Sequence, residues 1–564
     1  MNERTRVRRK AISQATVRKQ RCSRTVTKTI YVCATLLVMT FTAGAYDGRA
    51  FGADLVLSLS GRVTVEFVSS SADFSNTLLV NPNTSVSIAQ VWEDLIEPKT
   101  ATTCNAGGQI EGVSGLRLSN AKKSEPGCKV DLDHSVAPTL NKGQTIVNSF
   151  LPNTRFEFVL CVQATEQRDC TYKWSSDPGK NELGLDHVLI TETIPGREYR
   201  LAWKGSPDPA VRDFNDLVAV VRVLSNFRGA IDASTAVPVG NRLMFVGDDE
   251  SNTIRLYNRG AGGGPVPQAC APPGEGCNFS MQLNVDKEVD IEASARDRNR
   301  IYWMGSLGNK KDGDSAPSRN RFFATQIDIT GARPTLTFIG YSDTLRDDLI
   351  DWDRDNENRY CLQKSAIDGR PPGEIDGFNI EGLAIAPSRN QAYLGFRAPL
   401  IEPGGFQDCP ALGTRTHALI VPVTNFRLLV SGKPSMRHAL FGDPIELDLR
   451  GRGIRSLECN ANGCLIVAGP FGSATPFPPE DFRLYTWTGN PNDAPQLRTA
   501  DLSLAAQLFH PEGIVGLPDG PLTSDSLIEL VSDDSHWNPA DKDDLIPHLQ
   551  SFRSAIVRLG DVVP

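Results

Sequence analysis

Four glutamates recur in a shared setting. Glu292 in Asp290-Ile291-Glu292-Ala293, Glu381 in Asn379-Ile380-Glu381-Gly382, Glu458 in Arg455-Ser456-Leu457-Glu458 and Glu512 in Pro511-Glu512-Gly513-Ile514 each precede an apolar strand, and Ile231-Asp232-Ala233 offers a fifth acid in the same place. Carboxylates that a repeat brings together repel one another unless a cation sits among them, and hard oxygen donors suit Ca²⁺. The expectation is a Ca²⁺ site built from some of Asp232, Glu292, Glu381, Glu458 and Glu512. The same acids could instead accept backbone N–H bonds from the neighbouring repeat. Arg319, Arg321, Arg397 and Arg455 also lie near strand ends. Their planar forks either receive a phosphate or carboxylate ligand or pair with the repeat acids. Read as a catalytic set, Glu381 or Glu512 is the general base, and Arg397 and Arg455 hold an anionic ester. Asp208, Asp213, Asn215 and Asp216 form a second dense group of oxygen donors, suited either to Ca²⁺ or to capping turns.

Such acids converge only if the elements carrying them are arranged around an axis. After Val223, strand pairs recur five times, as in RLMFVGDDE, RIYWMGS and AYLGFRAP, at uneven intervals. Recurrent strand pairs of this length predict a β-propeller, here of about six blades near 226–560, whose innermost strands line a central channel. Upstream, RVTVEFV, TRFEFVLCV and HVLITETI alternate apolar and polar residues between Asn, Pro and Gly clusters, which predicts a β-sandwich over 54–225. One helix is expected near Ser87–Ile96. With 48 Gly and 37 Pro the chain is dense in turns, so the fold class expected is all-β.

The compartment is read from the N-terminus and the cysteines. Ten Lys or Arg against Glu3 precede the apolar run 30–45, which ends in Ala43-Gly44-Ala45. This is the pattern of a signal peptide over 1–45, with an uncleaved anchor as the alternative. The remaining ten cysteines fall into the neighbour pairs Cys104/Cys128, Cys161/Cys170, Cys270/Cys277, Cys361/Cys409 and Cys459/Cys464. An even number in an exported chain predicts disulfides. The whole chain carries −8 and, without the basic leader (+9), −17, which opposes nucleic-acid binding and suits cations. An exported monomer, periplasmic or extracellular, with no transmembrane span in the mature chain is expected.

No serine-hydrolase elbow, zinc-protease helix, phosphate-binding loop or dinucleotide fingerprint is present. His510 and His536 lie near the last repeat without a nucleophile; either serves as an acid or base or holds a surface or capping position. Asp351-Trp352-Asp353-Arg354-Asp355-Asn356-Glu357 starts like a calcium loop but has Asn356 where glycine is required, and is expected to be a solvated inter-blade loop. Lys310–Asp314 is expected to be a solvated turn.

The motifs VGDDESNTIRLY (246–257), VDIEASARDRNRIYWMGSLGNKK (289–311), DGFNIEGLAIAP (376–387), GDPIELDLRGRGIRSLE (442–458) and LVSDD (530–534) resemble the bacterial family called domain of unknown function 3616. This resemblance spans about 226–560. It implies a propeller akin to phytase-like esterase and gluconolactonase-type propellers, whose channel carboxylates hold Ca²⁺. Within the repeat, the glycine after the glutamate is kept at Gly382 and Gly513 but is Ala293 and Cys459 in the other copies. The segment 185–223, with GREYRLAWKGSPDPAVRDFNDLVAVVRV at its end, resembles domain of unknown function 4114, found in secreted and surface-attached proteins. Two functions follow: a Ca²⁺-assisted hydrolase of anionic esters, a phosphate ester or a lactone, or a nonenzymatic surface or matrix protein that binds a glycan or protein partner.

Overall fold

A computed structural model describes the backbone of strands between Arg49 and Ser175, Asn181, and residues 187–564 apart from short stretches, of which the longest are 205–213, 268–275, 473–480, 503–508 and 535–549. The expected leader 1–45, the helix near Ser87–Ile96, His536 and the Asp208, Asp213, Asn215 and Asp216 group lie outside the described residues.

From Ala233 the chain lays down successive antiparallel four-stranded sheets, each wound from the inside outward. Blade 1 contains Ala233–Val239, Leu243–Asp248, Ser251–Asn258 and Cys277–Asn278. Blade 2 runs from Ile291–Asp297 to Thr335–Ser342, blade 3 from Asn379–Ile385 to Ile445–Leu447, and blade 4 from Gly453–Asn460 to Gln496–Leu497. Blade 5 takes His510–Ile514, Leu527–Asp533 and Ser551–Arg558 from the C-terminus. Its outermost strand is the end of Leu217–Arg228, paired Ser225↔Ser554 to Arg228↔Ser551. The innermost strands of adjacent blades pack against one another, and blade 5 returns to blade 1, which closes a ring of five rather than about six blades. The uneven repeat intervals arise because blades 2, 3 and 4 carry long inserts between strands, and these do not add a blade.

Upstream of the propeller the chain forms two antiparallel sheets, one of them containing Val188–Ile194, Glu198–Trp203 and the first half of Leu217–Arg228. The boundary placed at 225/226 falls inside that continuous strand. Its first half pairs with Gly61–Ser69 and its last four residues with blade 5, so one strand belongs to both parts. Arg197 reinforces the junction by donating to Ser225 Oγ (2.6 Å) and the Arg259 carbonyl (3.2 Å), while Arg259 pairs with Glu529 of blade 5 (2.6 Å).

The core lies between blades. Their apolar faces exclude water from residues such as Trp303, Tyr302, Leu394, Ile466 and Leu530, all fully buried. At the closure, Phe227 stacks on Phe552 (4.9 Å) and meets Tyr257 edge-on (5.4 Å). Cys361–Cys409 and Cys459–Cys464 are disulfides, in agreement with neighbour pairing, and Cys277 is also in a disulfide. Lys310–Asp314 is an exposed turn apart from the buried Gly313. The acidic stretch at 351–357 is corrected: Asp351–Asp355 ends helix α1 (Leu345–Asp355), and Asp353 is buried. Its two oxygens accept N–H bonds from Tyr360 and Leu362 at 2.8 Å each, so this acid stops a helix instead of facing solvent.

The closing strand generates a prediction. Phe227→Ala removes a fully buried ring at the seam and should cost about 3–5 kcal/mol in denaturant unfolding, with the N-terminal sheet and blade 5 losing protection together. A fragment beginning at residue 229 that melts like the whole chain would show that the shared strand does not close the ring.

Candidate functional site

Each inner strand breaks register near its start. In blades 1 to 5 the residue left without a partner in the ladder is Ser234, Glu292, Glu381, Arg455 and Glu512 respectively. A bulge of this kind re-aims a side chain away from the sheet face, and five of them place one side chain per blade at the same end of the ring. The residue that follows is small in every blade: Thr235, Ala293, Gly382, Ser456 and Gly513. At the two glycines the reason is close approach of the second strand and of the next inner strand: a Cβ on Gly382 would lie 2.9 Å from both the Gly395 Cα and an Ile454 methyl, and one on Gly513 would lie 2.4 Å from a Val531 methyl and 3.2 Å from the Thr235 Cα.

This register changes the fourth copy of the repeat. The residue equivalent to Glu292, Glu381 and Glu512 is Arg455, followed by Ser456, whereas Glu458 lies three residues further along the strand, paired with Leu465. There its carboxyl accepts the Cys459 N–H, and burial pushes its pKa up to about 8. The pattern Ile-Glu-small, Ile-Arg-small, Pro-Glu-small carries the correct register in the sequence; a search for glutamates alone passes over it.

The mouth has two electrostatic halves. On blades 3 to 5, Glu381 is buried between two guanidinium groups, with Arg397 Nη1 at 2.7 Å from Oε1 and Arg455 Nε at 3.0 Å from Oε2. Arg455 also pairs with Glu512. Asn379 donates to Glu381 Oε1 (3.2 Å), and Arg397 Nε donates to the Phe471 carbonyl (2.9 Å). The four expected catalytic residues, Glu381, Glu512, Arg397 and Arg455, are therefore one network, with both arginines paired to repeat acids. His510, two positions before Glu512, is buried and stacks on Phe482 (5.6 Å).

The mouth ends of blades 1 and 2 carry clustered acids. Asp249, Asp290 and Glu292 can each offer an oxygen within 4.8 Å of the others, and so can Asp232, Asp249 and Glu250. Asp290 is anchored by Arg319 at 3.0 Å, and Arg319 also reaches Glu288 (2.7 Å). Burial raises Asp290 to about 6 despite Arg319. Burial first, then the charges of Glu381 and Asp290, hold Glu292 well above the usual carboxylate range, against Arg455 and Arg397. Arg321 bonds carbonyls of Leu283 and Pro317 (3.0 and 3.1 Å). Asp249, Glu250 and Asp290 are the site residues that the repeat pattern misses; the acid run Asp248-Asp249-Glu250 at a strand turn is their signal. Oxygen donors this close together, buried at Asp232, Asp290 and Glu292, half-buried at Asp249 and exposed at Glu250, fit a hard divalent cation, so the arrangement can hold a metal ion.

The strand order and this mouth define the chain as an all-β, five-bladed propeller with an acidic group of metal-ligating type at the channel. Residues 362–535 match the family described as "Protein of unknown function (DUF3616)", in agreement with the resemblance read from the motifs; the resemblance of 185–223 to domain of unknown function 4114 has no such match. No curated protein matches the sequence. Among solved structures, glutaminyl cyclase of Myxococcus xanthus is similar at 14% identity over 60% of this chain and 95% of that one, with a TM-score of 0.27. The PQQ-bound aldose sugar dehydrogenase of Streptomyces coelicolor is similar at 10% over 59% and 95%, TM-score 0.28. A putative 6-phosphogluconolactonase of Bacteroides fragilis is similar at 11% over 75% and 94%, TM-score 0.23.

The raised pKa values set a pH dependence. A carboxyl whose folded pKa lies above its unfolded value favours folding most when protonated, so this contribution is full below about pH 4 and is lost as pH rises through about 6 for Asp290 and through the raised pKa of Glu292. In chelator, the melting temperature of Glu292→Gln should therefore exceed that of the unaltered chain at pH 8, and the two should converge near pH 4. A difference that does not vary with pH would contradict the assignment.

Proposed function

We propose that the protein is exported, that its propeller mouth binds Ca²⁺, and that it is a metal-assisted hydrolase of an anionic ester, either a phosphate ester or a lactone. The observation that carries this reading is the division of the mouth: carboxylates on blades 1 and 2 close enough to share a cation stand alongside a glutamate held by two arginines on blades 3 and 4. Disulfides support export, and no helix of the described residues is long and apolar enough to cross a membrane.

Asp249, Asp290 and Glu292, with Asp232 and Glu250 beside them, would hold the cation. When bound, it would neutralise their mutual repulsion and polarise a carbonyl or phosphoryl oxygen. Glu381 takes the proton of the attacking water as general base while the water oxygen bonds to carbon or phosphorus, and returns that proton to the leaving alkoxide as the ester C–O or P–O bond breaks. Arg397 and Arg455 fix the Glu381 carboxylate from two sides, and Arg455 orients Glu512 as well. Arg397, only partly buried, is the guanidinium of the pair that an anionic substrate could reach. The pairing of both arginines with acids also favours a second reading, a nonenzymatic protein that binds a glycan or protein partner through a cation-stabilised mouth.

A panel of phosphate esters, lactones and aryl esters separates them. The hydrolase reading predicts turnover with Ca²⁺ that chelator and Glu381→Gln abolish, with Ca²⁺ at one hundred times its dissociation constant adding ~2.7 kcal/mol of stability that Glu292→Gln removes. No turnover of any class, together with Ca²⁺-dependent binding to cells or glycans, would replace the hydrolase with the binding protein. Unchanged melting on Ca²⁺ addition would remove the cation from both.

A further inference from the structure

Between blades 3 and 4, on the mouth side of the ring, lies a cavity of about 530 Å³ lined by Ile375, Arg415, His417, Asp448, Arg450 and Phe471. Its place follows from the connections that cross the ring there. Ile375 precedes the inner strand of blade 3, Arg415 and His417 lead into its third strand, Asp448 and Arg450 form the passage to blade 4, and Phe471 follows blade 4's second strand. Phe471 joins the cavity to the mouth, because its ring is a wall of the first and its carbonyl accepts Arg397 Nε in the second.

The chemistry of the lining is cationic and amphipathic. Arg415 is held in place without a carboxylate of its own: Nη1 donates to the Leu400 carbonyl (2.7 Å), the guanidinium lies 4.3 Å over the Phe406 ring, and it forms no ion pair among the described residues. The nearby Asp376 is paired with Arg370 (3.2 Å). Burial lowers the Arg415 pKa, opposed by the Asp376 charge. Arg450 is exposed and likewise has no ion pair among the described residues; its own N–H bonds Asp448 (2.8 Å). His417 Nδ1 is engaged by Thr416 Oγ1 (3.0 Å), which leaves Nε2 as the remaining polar atom of the ring. Phe471 and Ile375 supply an apolar wall, and Asp448 supplies an acceptor for hydroxyl groups.

We propose that this cavity is a binding site for a sugar-sized polyol that carries a carboxylate or phosphate. Arg415 and Arg450 take the anionic group, Asp448 accepts from hydroxyls, and the Phe471 ring packs on the apolar face of the sugar ring. The volume suits one such unit with water around it, and paired guanidinium donors around an anion are stronger than neutral hydrogen bonds. The site goes beyond the hydrolase reading, since it needs neither the cation nor Glu381; it names the class of ligand that would be presented to the mouth.

Calorimetry in chelator with glucuronate, glucose 6-phosphate, inorganic phosphate and glucose tests it. The expected result is saturable binding of one or both charged sugars at ~1 mM or tighter, at least about tenfold weaker binding of glucose, and retention of binding in Glu292→Gln and Glu381→Gln. Tighter binding of glucuronate identifies a carboxylate ligand, and tighter binding of glucose 6-phosphate a phosphate ligand. Arg415→Gln and, independently, Arg450→Gln should each weaken binding about tenfold, the exposed Arg450 serving as the variant that leaves the Phe406 contact intact. No saturable binding of either charged sugar, equal affinity for glucose, binding of inorganic phosphate as tight as that of the sugars, or unchanged affinity in both arginine variants would overturn the proposal. Because these measurements exclude Ca²⁺ and read no turnover, their failure is distinct from failure of the hydrolase reading.

Discussion

Mutual repulsion among buried carboxylates is the constraint on which the mouth of this propeller is built. Each of the five inner strands has a small residue after its bulge, and the bulged residues before them gather at one end of the ring. Three of the five are glutamates in a setting with little water. The molecule resolves this in two ways. Blades 3 to 5 use guanidinium groups, with Arg455 replacing a carboxylate in the ring itself and Arg397 added from the second strand of blade 3. On blade 2 burial raises the pKa values of Asp290 and Glu292, the condition under which a proton or a divalent cation becomes the natural counter-charge.

The asymmetry has mechanical support. Ser234 keeps the first bulge uncharged, and Thr235 Oγ1 bonds Ser294 Oγ across to blade 2 (2.6 Å), so the two acidic blades are tied by neutral hydroxyls below the charged layer. Asp534 and Arg553, both buried, hold the second and third strands of blade 5 together beside the closure. A strand shared with the N-terminal sheet then completes blade 5, which makes the ring depend on residues well upstream of the first blade. Charge placed at a mouth is useful only if the ring cannot spread, and the Phe227, Tyr257 and Phe552 cluster is where spreading would begin.

Much of this architecture is legible in the amino-acid sequence. Period-two patterns and recurring strand pairs identify strands because alternation is a local property of a pleated chain. Neighbouring cysteines pair as expected in Cys361–Cys409 and Cys459–Cys464; the five-residue separation of the second keeps its ends close, whereas the first spans 48 residues. Residue types are readable in part: Glu381 and Glu512 stand in one ion-pair network with Arg397 and Arg455, while Glu292 groups with Asp249 and Asp290. Asp353 shows the limit. An acidic run reads as solvated, yet one oxygen pair placed over free N–H groups turns a member of that run into a buried helix stop.

Composition, alternation and spacing by themselves determined an all-β chain, its propeller and the carboxylate and guanidinium character of the mouth, because each is a property of nearby residues. Tertiary structure decided the rest. Blade number depends on how many sheets close a circle and on a strand borrowed from upstream, which no local pattern encodes. The register of the fourth repeat, Arg455 in place of Glu458, depends on where a bulge falls against its partner strand. The recruitment of Asp249 and Asp290 to Glu292 depends on which turns overhang the channel, a matter of distances between residues far apart in the chain.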